Sequence, residues 1–479
     1  VPPSRRPWAL LAVSLANFTT VLDNNVTNVA LPSIQRDLHL SPAGLEWVVS
    51  SYVLAFAGLL LAGGRFADAL GRRRVLLVGL VVFAAASLAA GLAGSDAVLI
   101  AARAVQGVGA ALIAPTTLAV ISSLFRDPAE RTRAVSLWAA VAGLALAAGP
   151  LVGGLLSEHA SWGWIFFLNV PISAVVVGLV VWAVPESRET VRRRLDLPGL
   201  GASVVALTAL TWALIEGPGR GWTSAWVLGA FVVAAAAGAG FLAVERWTAV
   251  PMVDLSLFRS GTFSGGLIAL VLWAFGLFGI YFFTALWLQD ALGFSPTEAG
   301  LAFLPMAALM VIGAVFSGRL AQRTGTARLV AGAMVLMAAG IASLILLGAD
   351  AAFAQLMPGF ALIGLGGGLV NPLTASVLGT MPHHRAGVAA GLLNTARQLG
   401  GLLGVTVLGV LLTSRQTAEL RDGAAPLEAF VSGYRLALVG SAGLMLVGGL
   451  VAYLALRGAD RRTSAAVTAE ASVEPVPAG

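Results

Sequence analysis

The 479-residue chain contains no cysteine and no lysine. Without thiols there is no disulfide, no thiolate nucleophile and no cysteine-ligated zinc. Without lysine no phosphate-binding loop of the Gly-x4-Gly-Lys-Ser/Thr type can form, which excludes ATP drive through that device. Histidine is scarce. His39, His159, His383 and His384 fall in expected loops and lack the spacing of a metal cage, so no metal is expected. Charge is also scarce, at 11% of residues against about 25% in soluble domains. Water is therefore not the main solvent of the folded chain.

What the chain has instead is hydrophobic sequence, 58% of all residues. Apolar runs of about 20 residues, long enough to cross a hydrocarbon core of about 30 Å, recur with short polar breaks. The expected spans are 8–31, 45–63, 75–93, 97–122, 134–156, 164–184, 198–215, 222–243, 262–288, 298–317, 329–349, 352–379, 386–412 and 434–456. The first is read as a helix and not as a signal peptide, because no small-residue cleavage site follows it and Asp23 interrupts it. An even number of spans puts both termini on one side. Arginine collects in cytoplasmic loops, and an N-in, C-in arrangement leaves only Arg36, Arg220, Arg415, Arg421 and Arg435 outside, with Arg103 and Arg397 inside helices. The net charge of +6 follows from this asymmetry, so Arg192, Arg193 and Arg194 need no nucleic-acid partner. Trp8, Trp47, Trp162, Trp164, Trp222 and Trp226 lie near expected span ends, where an indole suits the headgroup region.

The chain repeats itself. Gly64-Arg65-Phe66-Ala67-Asp68-Ala69-Leu70-Gly71-Arg72 returns in pattern as Gly318-Arg319-Leu320-Ala321-Gln322-Arg323-Thr324-Gly325-Thr326. Gln106-Gly107-Val108-Gly109, followed by Pro115 and Thr117, returns as Ile363-Gly364-Leu365-Gly366, followed by Pro372 and Thr374. Two related halves with a binding site between them are a transporter plan. The expected organisation is a six-helix bundle over 8–184, a linker with two extra helices over 185–261, a second six-helix bundle over 262–456 and a disordered cytoplasmic tail over 457–479. The loop from Thr413 to Tyr434 and this tail are the longest polar stretches, and the tail is rich in Ala, Glu and Pro.

Four features carry chemistry. In the loop from Gly64 to Arg74, Gly64 and Gly71 let two helix ends approach closely, and Asp68 can cap a neighbouring helix or pair with arginines such as Arg72. Asp23, in Leu22-Asp23-Asn24-Asn25-Val26-Thr27-Asn28, is the one clear deep acid. A carboxylate inside a membrane costs about 2.5–3.5 kcal/mol on insertion scales, so it should face a cavity or a partner. Arg103 is that partner by depth: Asp23 lies about 12 Å and Arg103 about 9 Å below the same end of their spans, at 1.5 Å per residue. On the fifth span, Gly143-x5-Gly149-Pro150-x2-Gly153-Gly154 combines a proline that bends the helix with glycines that permit close packing. Arg397 lies mid-helix in Asn394-Thr395-Ala396-Arg397-Gln398, with no second carboxylate at its depth. Carbonyls, Asn394 or a substrate acceptor are its expected partners.

These residues resemble the major facilitator superfamily and, within it, the fourteen-helix drug:proton antiporters of the EmrB/QacA type, over about residues 8 to 456. The resemblance implies an all-α membrane protein with the major facilitator fold, N-in and C-in, in a bacterial inner membrane. It implies that the Gly64, Asp68, Gly71, Arg72 loop is a cytoplasmic latch between halves, although Ala69 stands where the family has Arg. Asp23 would bind a proton, a cationic substrate or each in turn, with Arg103 released when Asp23 is protonated. Gly143, Gly149, Pro150, Gly153 and Gly154 match the antiporter signature. Asn24, Asn25, Gln106, Asn394 and Arg397 are substrate-cavity candidates, and Asn25 replaces the usual Thr. Glu216 also matches the family and is expected in an outer loop, and Asp290 near an outer end. The implied activity is proton-coupled efflux of small amphipathic, often aromatic or cationic drugs or antibiotics by alternating access. It needs no cofactor beyond the proton gradient. The expected partners are drugs, protons and the lipid bilayer, with no nucleic acid, and the expected state is a monomer. Proton-coupled uptake by the same fold and a non-transport membrane sensor are the alternatives. The Gly149-Pro150 motif opposes the first. The second lacks a nucleophile–base pair, a metal cluster and a soluble domain.

Overall fold

The structure is a computed structural model and describes residues 3–188, 196–248, 251, 253–348, 351–379, 381 and 386–471. Arg192, Arg193, Arg194, His383 and His384 lie outside the described residues. Fourteen long helices follow one another: α1 Arg6–Leu38, α2 Pro42–Leu70, α3 Arg72–Gly91, α4 Asp96–Leu124, α5 Pro128–His159, α6 Trp164–Ala183, α7 Leu197–Arg220, α8 Ala225–Trp247, α9 Gly261–Leu286, α10 Pro296–Thr324, α11 Thr326–Ile345, α12 Phe353–Gly379, α13 Ala386–Arg421 and α14 Pro426–Ala471. Among the described residues, thirteen of these helices are long and apolar enough to cross a membrane. The remaining one, α1, is as long as the others but carries Asp23, Asn24, Asn25 and Asn28 in its middle.

Local chemistry sets the ends. Ser41 caps α2 through Gly44 N, with Pro42 in the first turn where its missing N–H costs nothing. Ser295 and Glu298 form a capping box on α10. Gly71 and Gly325, equivalent in the repeat, make the α2–α3 and α10–α11 turns at φ 110° and 83°, a region closed to most side chains. Several helices outrun their apolar runs. α7 continues to Arg220 and takes in Glu216, which is therefore helical and not in a loop. α14 continues to Ala471, past position 457 where composition predicts a disordered tail, because its alanines are strong helix formers. α12 breaks at Val370–Asn371, where Pro372 disfavours helical geometry in the preceding residue.

The repeat is visible as packing. α1 packs on α5 and α6, α2 on α4, and α3 on α4 and α6. The same relations return eight helices later, with α9 on α13 and α14, α10 on α12, and α11 on α12 and α14. Two pairs make the largest joins between the halves, α5 with α10 and α2 with α13, and α1 also touches α9 and α10. α7 and α8 pair with each other, and α7 also lies along α2 and α13, flanking one of the two joins.

Successive helices run in opposite directions, so the bundle has two faces. The terminal face carries the start of α1, where Arg5 bonds the Trp182 carbonyl at the end of α6. The far face carries the end of α1, where Asp37 accepts from Trp162 at the start of α6. Trp162 is thus buried and bonded, and not a headgroup anchor, whereas Trp164 and Trp226 are exposed.

Candidate functional site

Asp23 and Arg103 are both fully buried and paired, Oδ2 to Nη1, at 2.5 Å. Burying two charges is favourable only when further hydrogen bonds replace the lost water. Here they do: Asp23 Oδ1 accepts from Asn169 Nδ2 of α6 at 2.7 Å and from Gln106 Nε2 of α4 at 3.1 Å. Arg103 Nε donates to the Val48 carbonyl of α2, and Nη1 also donates to Gln106 Oε1. Ser87 of α3 accepts from Gln106 at 2.7 Å. The guanidinium lies over the ring of Tyr52 at 4.4 Å and near Phe166 at 5.6 Å, each supplying a negative ring face. Five helices of the first half thus meet on one ion pair.

The second half has no such pair at the equivalent place. The repeat aligns Arg103 with Phe360, which stacks on Phe303 at 5.4 Å, and Phe303 meets Tyr281 of α9 at 4.5 Å. Aromatic packing replaces charge there.

Beside this network, at the join between halves, a small cleft is lined by Asn24 and Asn28 of α1, Ser50 of α2, Phe278 of α9, and Gln398 and Leu402 of α13. It encloses about 20 Å³, room for roughly one or two waters. Drug-sized sites need about 300–1,000 Å³, so the halves are drawn together at this level. Asn24 Oδ1, Asn28 Oδ1 and Ser50 Oγ are buried without a hydrogen-bond partner.

The cavity candidates therefore separate. Asn24 lines the cleft. Asn25 does not: its amide donates to the Val21 carbonyl, and its Cβ packs on Gly149. Gln106 belongs to the ion-pair network. Arg397 is exposed next to cleft-lining Gln398, and donates to Asn394 Oδ1 at 3.0 Å. Residue order alone did not single out Asn28, Ser50 and Gln398 in the cleft, or Ser87, Asn169 and Tyr52 around the pair. Asn169 carried a signal, as a lone amide inside the apolar run Phe166-Phe167-Leu168-Asn169-Val170.

The glycines of α5 are contact points. Side-chain carbons at Gly149 and Gly153 would run into Asn25 and Val26 of α1, and one at Gly154 into the Pro296 carbonyl of α10. The Pro150 carbonyl lies against Gly300 of α10 in the same way. Glu158 completes this join at the far face by accepting from Thr297 N at 2.9 Å. Towards the terminal face Gly143 and Gly318 have nothing within 4 Å, and Leu61 of α2 meets Gly391 of α13. α5 and α10 thus hold the halves together at the far face.

In the Gly64–Arg74 loop, Arg72 pairs with Asp68 at 2.9 Å, and the N–H groups of Arg73 and Arg74 are capped by the Glu186 carboxylate beyond α6. Asp68 pairs within its own loop and not with the second half. Arg65 reaches the Pro251 carbonyl, between α8 and α9.

A family model described as Major Facilitator Superfamily matches residues 13–405. The chain is 38% identical to a puromycin resistance protein of Streptomyces alboniger, over 99% of this chain and 95% of that one. It is 38% identical to the tetracenomycin C resistance and export protein of Streptomyces glaucescens, over 86% and 77%. It is 41% identical to the cephamycin export protein CmcT of Amycolatopsis lactamdurans, over 86% and 87%. Among solved structures, the POT family transporter PepTSo superposes with a TM-score of 0.70 at 16% identity, covering 96% of this chain and 99% of that one. A bacterial homologue of the human lysosomal transporter Spinster gives 0.66 at 19% identity, over 95% and 98%.

Proposed function

The chain belongs to the major facilitator superfamily, a multi-pass cell-membrane transporter and not an enzyme, and from that premise we propose that it exports small amphipathic molecules, antibiotics among them, in exchange for protons. The observation that carries the reading is the Asp23–Arg103 pair, a titratable carboxylate sealed in the first half one residue away from the cleft. The relatives' resistance and export activities support the direction of transport.

In this reading the arginine-rich loops and both termini are cytoplasmic, so the far face is the outer one and the described arrangement is closed to the outside. Asp23 takes its proton from the outer side while the far face is open, which cancels the charge that holds Arg103, Gln106 and Asn169. That loosens α1 from α4 and α6 and favours closure of the far face. Substrate then enters from the cytoplasmic side and meets the amide and hydroxyl groups of Asn24, Asn28, Ser50 and Gln398 across from Phe278. Proton release to the cytoplasmic side re-forms the pair and the loaded protein opens outward, so a proton moves in as substrate moves out. The glycine contacts of α5 with α1 and α10 carry the motion, because they join the proton-binding helix to the second half.

The test is expression in a strain without its own efflux pumps, with drug susceptibility scored alongside substrate-induced proton movement in vesicles. Lower susceptibility and proton movement that both require Asp23 are expected. Protein present in the membrane with neither effect, for every compound tried, overturns the proposal.

A further inference from the structure

The join between α2 and α13 holds a carboxyl group that takes no part in the network around Asp23. Glu46 lies in the second turn of α2, is 7% exposed, and rests its carboxyl directly on Gly409 of α13. A side-chain carbon at 409 would collide with it. Oε2 is buried with no hydrogen-bond partner, and the group forms no ion pair among the described residues. Asp23 is therefore not the only buried acid. Glu46 sits close enough to a span end to read, in sequence, as a solvated terminal acid, and only the crossing of α13 buries it.

The charged groups nearest Glu46 on the helices packed around it are occupied elsewhere, and Arg421, the last residue of α13, lies about three turns beyond Gly409. On α7, Glu216 pairs with Arg220 and accepts from Trp47. On α13, Arg415 pairs with Glu419. On α1, Arg36 donates to the Pro32 carbonyl and Asp37 accepts from Trp162. On α4, Asp96 accepts from Ala97 N. A carboxylate anion against Gly409 would have neither donor nor counter-charge. The positive end of α2 offsets only part of that desolvation. The neutral acid fits the same space without that penalty.

We propose that Glu46 is a second proton-binding site, separate from Asp23, that takes its proton at the far face while the α2–α13 join is open and enters the closed join as the neutral acid. This rests on the proton-exchange reading above. The α2–α13 pair is one of the two largest contacts between halves, so an arrangement open at the far face parts its far-face end and brings water to Glu46. There the carboxylate takes a proton from hydronium, one O–H bond forming and a water leaving. Closure of the far face is thereby tied to proton capture.

The absence of cysteine allows a direct test. Ala43→Cys and Ala418→Cys, near the far-face ends of α2 and α13, accept spin labels with no background, and their separation is measured on the purified full chain in acidic and alkaline buffer. The expected result is a short distance in acid and a growing long-distance population in alkali. Glu46→Gln should lose most of the alkaline long-distance population, and Glu46→Asp should restore it. Asp23→Asn removes the other titrating carboxyl, so the pH response left in that variant is that of Glu46. If Glu46→Gln follows the same pH response as the parent, the proposal is overturned. If Asp23→Asn alone abolishes that response, this proposal fails while proton exchange through Asp23 stands. A parent distance that ignores pH also overturns the proposal, and proton movement in vesicles decides the exchange reading separately.

Discussion

Asp23 and Asn24 are consecutive on α1 and face different compartments: Asp23 points into the sealed core of the first half and is bonded to Arg103, whereas Asn24 lines the cleft between halves with an unpartnered Oδ1. Successive residues of a helix stand about 100° apart, at 3.6 residues per turn. A small rotation or shift of α1 on release of Asp23 therefore moves the cleft wall directly, with no need for a longer path of coupling.

The first prediction concerns the pair itself. Asp23→Asn keeps the shape but leaves Arg103 buried without a counter-charge, which costs about 3–5 kcal/mol for a pair broken on one side. Proton-driven transport should be lost and thermal stability lowered, both measured on purified protein. The double variant Asp23→Asn/Arg103→Gln should recover most of the stability and none of the coupled transport. Equal stability of the single and double variants would show that the pair is not the tie described.

The second concerns Asn169, which donates to Asp23 at 2.7 Å. Asn169→Leu removes one of three donors to a buried carboxylate, and a hydrogen bond to a charged group is worth about 1.5–3 kcal/mol. Thermal stability should fall by that order and proton-driven transport should weaken, both measured on purified protein. A variant as stable and as active as the parent contradicts this role.

Much of the fold is legible in the sequence because the bilayer restricts the choices. An apolar run of spanning length must be a helix, and the Gly64/Gly318 and Gln106/Ile363 echoes mark two halves before any coordinates exist. Asp23 and Arg103 are legible too, since a charge at mid-membrane needs a partner and depth follows from rise per residue. The cleft is less so. Asn24, Asn25 and Asn28 look alike in sequence, and only the placement of Gly149 of α5 against Asn25 turns that one away. Glu46 was hidden for the same reason: burial by a helix more than three hundred residues away leaves no local trace.

The third prediction tests the close join at the far face. Gly154→Ala places a methyl group against the Pro296 carbonyl of α10, and the helices must separate to admit it. Gly143→Ala meets nothing within 4 Å. The Gly154 variant should insert normally and show impaired closure and transport, while the Gly143 variant should transport as the parent does. Membrane abundance and transport, measured together, separate a folding defect from a motional one. Equal transport by both variants would remove the α5–α10 contact from the mechanism.

The fourth concerns what the cleft selects. Its deep lining is uncharged, with amides and a hydroxyl on the first-half side and Phe278, Gln398 and Leu402 opposite, and Arg397, exposed, adjoins Gln398. Ser50→Ala removes a hydroxyl that is unpartnered in the closed cleft, and Asn28→Leu an unpartnered Oδ1 together with an Nδ2 that donates to the Asn24 carbonyl at 3.3 Å. Both therefore cost little stability and act mainly when a substrate's own donors or acceptors would have met them. They should weaken export of hydrogen-bonding aromatic compounds by up to about tenfold per lost contact, at about 1.4 kcal/mol per factor of ten, and leave purely apolar dyes unaffected. Arg397→Gln should instead discriminate by charge, reducing export of acidic compounds more than of neutral ones. Susceptibility panels across compounds of matched size separate the two patterns. A uniform loss across the panel would mean that these side chains hold the helices and do not read the cargo.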